Sequence, residues 1–173
     1  MKPLAASAIG FVLIAQPALA GGTKEQFVNA FKSWCGTGAP SFDVVNRKAE
    51  NRKLTIASDM NPPMAGGNMI ETKVWANDDR TGSYAVSASR AINGRKHVQG
   101  CGIYFQDIGD DLTDYVSVSL GIGKPYKRTV ASDGKHLSYW NGPTHTMLML
   151  TSGPTGIPQG ATLNAIQTLD AGR

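Results

Sequence analysis

His145-Thr-Met147-Leu-Met149 places an imidazole and two thioethers at alternate positions, and alternate side chains of a strand share one face. Three further methionines, Met60, Met64 and Met69, follow one another at spacings of four and five. Thioethers combined with imidazole suit Cu(I), so copper held by His145, Met147 and Met149 is one chemistry the chain could carry. The rival reading of Met147–Leu150 is a buried apolar strand, in which methionine commonly fills irregular space. Zinc is a poorer fit, because the chain has three histidines and none lie at ligand spacing.

Nucleophilic chemistry has weaker signals. Ser132-Asp-Gly-Lys135 matches Ser-x-x-Lys, but that motif must open a helix to activate its serine, and Asp133-Gly134 instead spells a hairpin turn. His136 neighbours Asp133, as turn residues often do, and no Gly-x-Ser-x-Gly is present. The aspartates 107, 110, 111 and 114 lack the spacing and closing Glu of a calcium loop. Helix capping accounts for them better. Gly121-Ile-Gly123-Lys124 is too short for a phosphate loop. For binding rather than catalysis, Arg90 and His97, with Arg95 and Lys96 nearby, predict a small cationic patch at one end of a hairpin. Trp75, beside Glu71 and Lys73, is the tryptophan expected at an exposed contact.

The first twenty residues bear on where such chemistry would run. Lys2, the apolar run Ala5–Ala15 and Ala18-Leu19-Ala20 predict a secretory signal cleaved after Ala20. The apolar run is about half the length of a bilayer-spanning helix, so no membrane span is expected from it. Residues 21–173 are then read as one periplasmic or secreted domain, long enough to bury a substantial core. The formal charge of +4 falls to +3 once Lys2 is removed. No block of like charges is interleaved with aromatics, so nucleic acid is not an expected partner. Cys35 and Cys101 are the only cysteines. With no Cys-x-x-Cys, and in an oxidising space, they predict a disulfide.

The elements follow from periodicity. Thr23 and Gln26 have the spacing of a capping box, and Phe27, Ala30, Phe31, Trp34 and Cys35 recur on one helical face. Ser41 could cap a second helix over Phe42–Leu54. Residues 57–69, with two prolines and two glycines, predict a long loop. From Ile70 the period changes to that of strands. Asn93-Gly94 predicts a tight hairpin turn, with Tyr84 opposite Ile103, Val86 opposite Cys101 and Arg90 opposite His97. Leu112 to Leu120 suggests a short helix capped by Asp110 or Asp111 and stopped by Gly121. Strands over Lys127–Ser132, Lys135–Trp140, His145–Thr151 and Ala161–Leu169 complete the chain.

The fold expected is therefore α+β. An antiparallel sheet of about six strands packs against an N-terminal helix and a second short helix, with one disulfide. The favoured function is a non-enzymatic periplasmic or secreted binding or protein-interaction module. It needs no cofactor, and another envelope protein is a possible partner. The alternatives are a copper-binding protein and a small secreted hydrolase. The hydrolase would need Ser, His and Asp side chains that are distant in sequence to converge.

Overall fold

The computed structural model describes residues 22–36, 40–60, 69–79, 82–93, 96–108, 111–153 and 160–170. Helix α1 (Lys24–Trp34) begins at the predicted box: Gln26 N–H donates to Thr23 Oγ1 at 3.1 Å, and Thr23 N–H donates to Gln26 Oε1 at 2.7 Å. Its apolar stripe buries Phe27, Phe31 and Trp34. Helix α2 (Phe42–Asn51) starts at Ser41 and buries Phe42, Val45 and Ala49. It ends in a left-handed Lys53 (φ 54°), after which Leu54 N–H reaches back to the Ala49 carbonyl at 3.1 Å. Helix α3 (Thr113–Leu120) stops at Gly121, whose φ of 66° favours a residue without a side chain.

Eight strands, not six, follow as β1 (Thr55–Met60), β2 (Met69–Asp79), β3 (Gly82–Asn93), β4 (Lys96–Gln106), β5 (Lys127–Val130), β6 (His136–Asn141), β7 (Thr146–Ser152) and β8 (Gly160–Asp170). All pairings are antiparallel, in one sheet of order β1-β2-β3-β4-β8-β7-β6-β5. Seven of these match segments read as strands, more than the six expected to share the sheet, and the one not read is β1, because Ala57–Met60, read as loop, pairs with β2. Its weak alternation comes from a register shift between Ile56 and Ser58 at the sheet edge. The topology has two halves, α1 and α2 followed by the meander β1–β4 and α3 followed by the meander β5–β8, joined where β4 meets β8. No residue-level repeat announces this.

The β3–β4 register is corrected by two residues. Val86 lies opposite Ile103, Ala88 opposite Cys101 and Arg90 opposite Gln99, since Asn93 pairs with Lys96. The turn is thereby moved one residue along, to positions outside the described residues. A shift of two preserves side-chain parity, so Cys101 still faces α1. Cys35 and Cys101 form the disulfide, with Cα atoms 5.4 Å apart. Around it lies the core: Phe27, Phe31 and Trp34 from α1 meet Tyr84, Val86, Ile103 and Phe105, and the Tyr84 and Phe105 rings stack at 4.9 Å.

All three helices share this side of the sheet. Helix α2 is held by Phe42 N–H donating to Gln99 Oε1 at 3.0 Å. Helix α3 is held by Leu112 N–H donating to Ser152 Oγ at 3.2 Å and by the Thr113 and Ser138 hydroxyls 2.7 Å apart. The expected aspartate cap is replaced. The N-cap is Leu112 with no side-chain bond, while Asp111 Oδ1 accepts from Thr113 N–H at 3.0 Å. Asp110 lies outside the described residues.

Candidate functional site

Strand alternation divides the residues into a helix face and a far face. The register carries Trp75, Val86, Cys101, Ala165, Leu148 and Trp140 onto the helix face. All three tryptophans belong to this side and are buried. Trp75, expected at an exposed contact, is 1% exposed. Its neighbours Glu71 and Lys73 do share its face, but their charges are met under α2. Lys73 Nζ donates to Asn46 Oδ1 at 3.3 Å, and Glu71 accepts from Arg90 Nε at 2.6 Å.

The predicted Arg90/His97 patch is resolved differently. Arg90 is held between Glu71 and Asp43 (3.2 Å), and its guanidinium lies 4.6 Å from the Phe42 ring centroid. It docks α2 onto the sheet and is not an uncommitted cation. His97 is exposed, on the same face, opposite Ile92 and Leu169. Of the copper ligands, Met147 and Met149 share the far face and are half-buried, and the Tyr126 hydroxyl donates to Met147 Sδ at 3.6 Å. His145 departs from the expected alternation. Its φ of 57° puts it in the turn before β7, exposed. Met60 and Met69 end β1 and begin β2, and Met64 lies outside the described residues.

One polar cluster was not foreseen. Asp111 is paired with Arg128, and its Oδ2 lies 3.4 Å from His136 Nδ1. His136 sits directly opposite Ser152 and two residues from Ser138 on the helix face. Burial opposes ionisation of Asp111, yet hydrogen bonds from Thr113 and Arg128 outweigh it and hold the carboxyl below its ordinary range. Asp, His and Ser are thus brought near one another, as a hydrolase would need. Ser138 and Ser152, however, are fully buried. The Ser152 hydroxyl is engaged by α3's Leu112 N–H and the Ser138 hydroxyl by Thr113. These serines fasten a helix; they are not presented to a substrate.

The far face has a composition that demands explanation. By register its central part runs through Val74 on β2, Ser87 and Ser89 on β3, Gly100 and Gly102 on β4, Asn164 on β8 and Met149 on β7. Among the residues whose side chains are described, its charged positions, Lys96 and Lys127, are confined to a strand end and the edge strand β5. Among the described residues, no helix packs on it. The floor is formed by glycines: a Cβ on Gly102 would lie 2.2 Å from Asn164 Oδ1, and one on Gly100 would lie 2.6 Å from Ser89 Oγ. The small neighbouring side chains fold down over these bare positions. Asn164 is 2% exposed, and its Oδ1 is buried with no hydrogen-bond partner. The Tyr104 hydroxyl is also buried and unpartnered, and it lies beside Gly160 at the start of β8, four residues from Asn164. Burial first, and then Asp107, push the Tyr104 hydroxyl pKa up, so it stays a neutral donor.

Compared with known proteins, the chain matches no family model, no curated protein and no solved structure.

Proposed function

We propose that this protein is a non-enzymatic binding module of the periplasm or of secreted fluid, and that the far face of its sheet is the binding surface. The observation that carries this reading is an uncharged sheet face with two buried, unpartnered polar atoms. A sheet face that meets only water is polar, whereas this one mixes Ser, Thr and Asn with glycines and with Val74, Met147 and Met149. A buried acceptor without a partner costs roughly 1–3 kcal/mol, a cost that a ligand supplying the donor removes. The disulfide is compatible with the oxidising compartment that the N-terminal segment predicts.

The test uses a photo-cross-linking amino acid placed at Met149 on the far face and, separately, at the exposed Lys32 on α1. The expected result, in cells exporting the protein, is a discrete adduct from position 149, lost on adding Val74→Lys, and none from position 32. Absence of an adduct at 149, or equal adducts at both positions, would remove the far face from consideration.

A further inference from the structure

We infer that the outer face of helix α2 docks this protein on the surface of an anionic lipid bilayer, independently of what the far face of the sheet binds. The segment Arg47-Lys-Ala-Glu-Asn-Arg-Lys53 sets four cations against Glu50 alone. These seven residues hold a net charge of +3, as much as all of residues 21–173 together. The basic excess of the chain is therefore concentrated in one place.

Helix α2 sorts its charges by flank. On the flank turned towards β2 and β3, Asp43 meets Arg90 at 3.2 Å, and Glu50 accepts from Asn46 Nδ2 at 2.8 Å. Asn46 Oδ1 in turn accepts from Lys73 Nζ at 3.3 Å. On the opposite flank Lys48 and Arg52, one turn apart, lie over the Trp34 ring of α1, 4.7 and 4.9 Å from its centroid. Lys48 also donates to the Ser33 carbonyl, and Arg47 and Lys53 are exposed. Among the described residues, none of these four cations has a carboxylate partner. Partial burial, and then the Arg52 charge, push the Lys48 pKa down. An anion arriving here relieves like-charge repulsion as well as adding attraction.

Two observations select a bilayer among anionic partners. Exposed aliphatic side chains stand among the cations: Val44 is 59% exposed and Ile56 53%. Val44 lies one turn before Arg47 and Lys48, on the same outer face. Ile56 follows three residues after Lys53 and pairs with Trp75, which puts it on the helix side of the sheet. A soluble acidic polymer leaves such groups in water. A lipid surface takes the cations at its phosphates and the aliphatic groups just beneath, and long Lys and Arg stems reach between the two depths. The second observation concerns aromatic anchors, which carry most protein–protein contacts. Here Trp34 is roofed by the cations and 4% exposed. Contact is peripheral, because no helix among the described residues is long and apolar enough to cross a membrane. Since α2 lies on the helix side, docking leaves the far face turned away from the lipid.

The measurement is co-sedimentation of the exported protein with vesicles of phosphatidylcholine, alone or with one-third phosphatidylglycerol. The expected result is binding to the anionic vesicles and at least tenfold weaker binding to the neutral ones. Raising salt from about 0.05 M to about 0.5 M should release the protein, because screening shortens the reach of surface charge. Arg47→Gln/Lys53→Gln should weaken binding at least tenfold with an unchanged melting temperature, since each basic residue near an anionic leaflet is worth about fivefold. Lys124→Gln, beyond α3, should leave it within twofold. Val44→Gln/Ile56→Thr should weaken vesicle binding at least fivefold. Equally tight binding to polyglutamate, with vesicle binding unmoved by the Val44 and Ile56 changes, would assign the patch to an acidic polymer or protein and overturn the bilayer. No binding to the anionic vesicles, or binding unchanged in Arg47→Gln/Lys53→Gln, would overturn the assignment of this face.

Discussion

Asp111 shows how one residue joins two elements. Its carboxylate accepts from the N–H that opens α3 and is paired with Arg128 on β5. A carboxyl whose folded pKa lies below its unfolded value leaves the unfolded chain binding more protons. The stability it contributes is present above the unfolded pKa and is lost as pH falls through the folded one. We therefore expect the melting temperature to drop as pH falls below about 4, and Asp111→Asn to flatten part of that drop. Asp133 is held low by the side chain and N–H of Lys135 in the β5–β6 turn. It is the other contributor, so Asp133→Asn is the companion variant. A melting curve against pH that is identical in Asp111→Asn and the parent would show that the α3–β5 link contributes nothing. The sequence makes local bonding by these aspartates legible, Asp111 beside a helix start and Asp133 in a hairpin turn, since their carboxylates bond within a few residues. It does not reveal Arg128 and His136, which lie 17 and 25 positions away.

At the scale of elements, the disulfide is the connection on which the N-terminal helix most depends. Cys35 follows directly on α1 and Cys101 lies midway along β4, 66 residues later. Constraining a loop of that length stabilises by about 4 kcal/mol in the chain-entropy model. The double variant Cys35→Ala/Cys101→Ala should lose about that much in urea unfolding, with the midpoint lowered at an unchanged slope. A loss under about 1 kcal/mol would mean that packing of Phe27, Phe31 and Trp34 suffices alone. The pairing was readable from two cysteines and an oxidising address. The face was readable from alternation. The register was not, because sliding the turn by one residue keeps apolar side chains on the same side, so the hydrophobic pattern cannot discriminate between the two. Strand β1 escaped notice for a related reason: an irregular edge strand of six residues ending at a Pro-rich stretch has too little alternation to be distinguished from loop.

At the scale of the whole molecule, convergence decides which chemistries are open. Cu(I) would require an imidazole and thioethers at one point. His145 leaves the strand through a left-handed turn, and the Met147 sulfur already accepts from Tyr126. A competition titration with a Cu(I) chelator should accordingly show no tight stoichiometric binding. One equivalent held tightly and lost in His145→Ala/Met147→Ala would reinstate the metal. The sequence by itself determined what depends on near neighbours: α1 with its capping box, the glycine stop of α3, the strands from Ile70 onward and the apolar face bearing Cys101. Those features are set by hydrogen bonds and periodicities spanning a few residues. The tertiary structure alone decided that β4 pairs with β8, since that ladder joins segments some 64 residues apart about a turn of chain direction no local pattern encodes. It also decided which of two mixed faces the helices cover. Glu71 and Lys73 made the Trp75 side look exposed, while Ser, Gly and Asn made the opposite side look unremarkable. Charge pairing under α2 buried the first. The second was left uncharged, with Asn164 Oδ1 and the Tyr104 hydroxyl unpartnered within it.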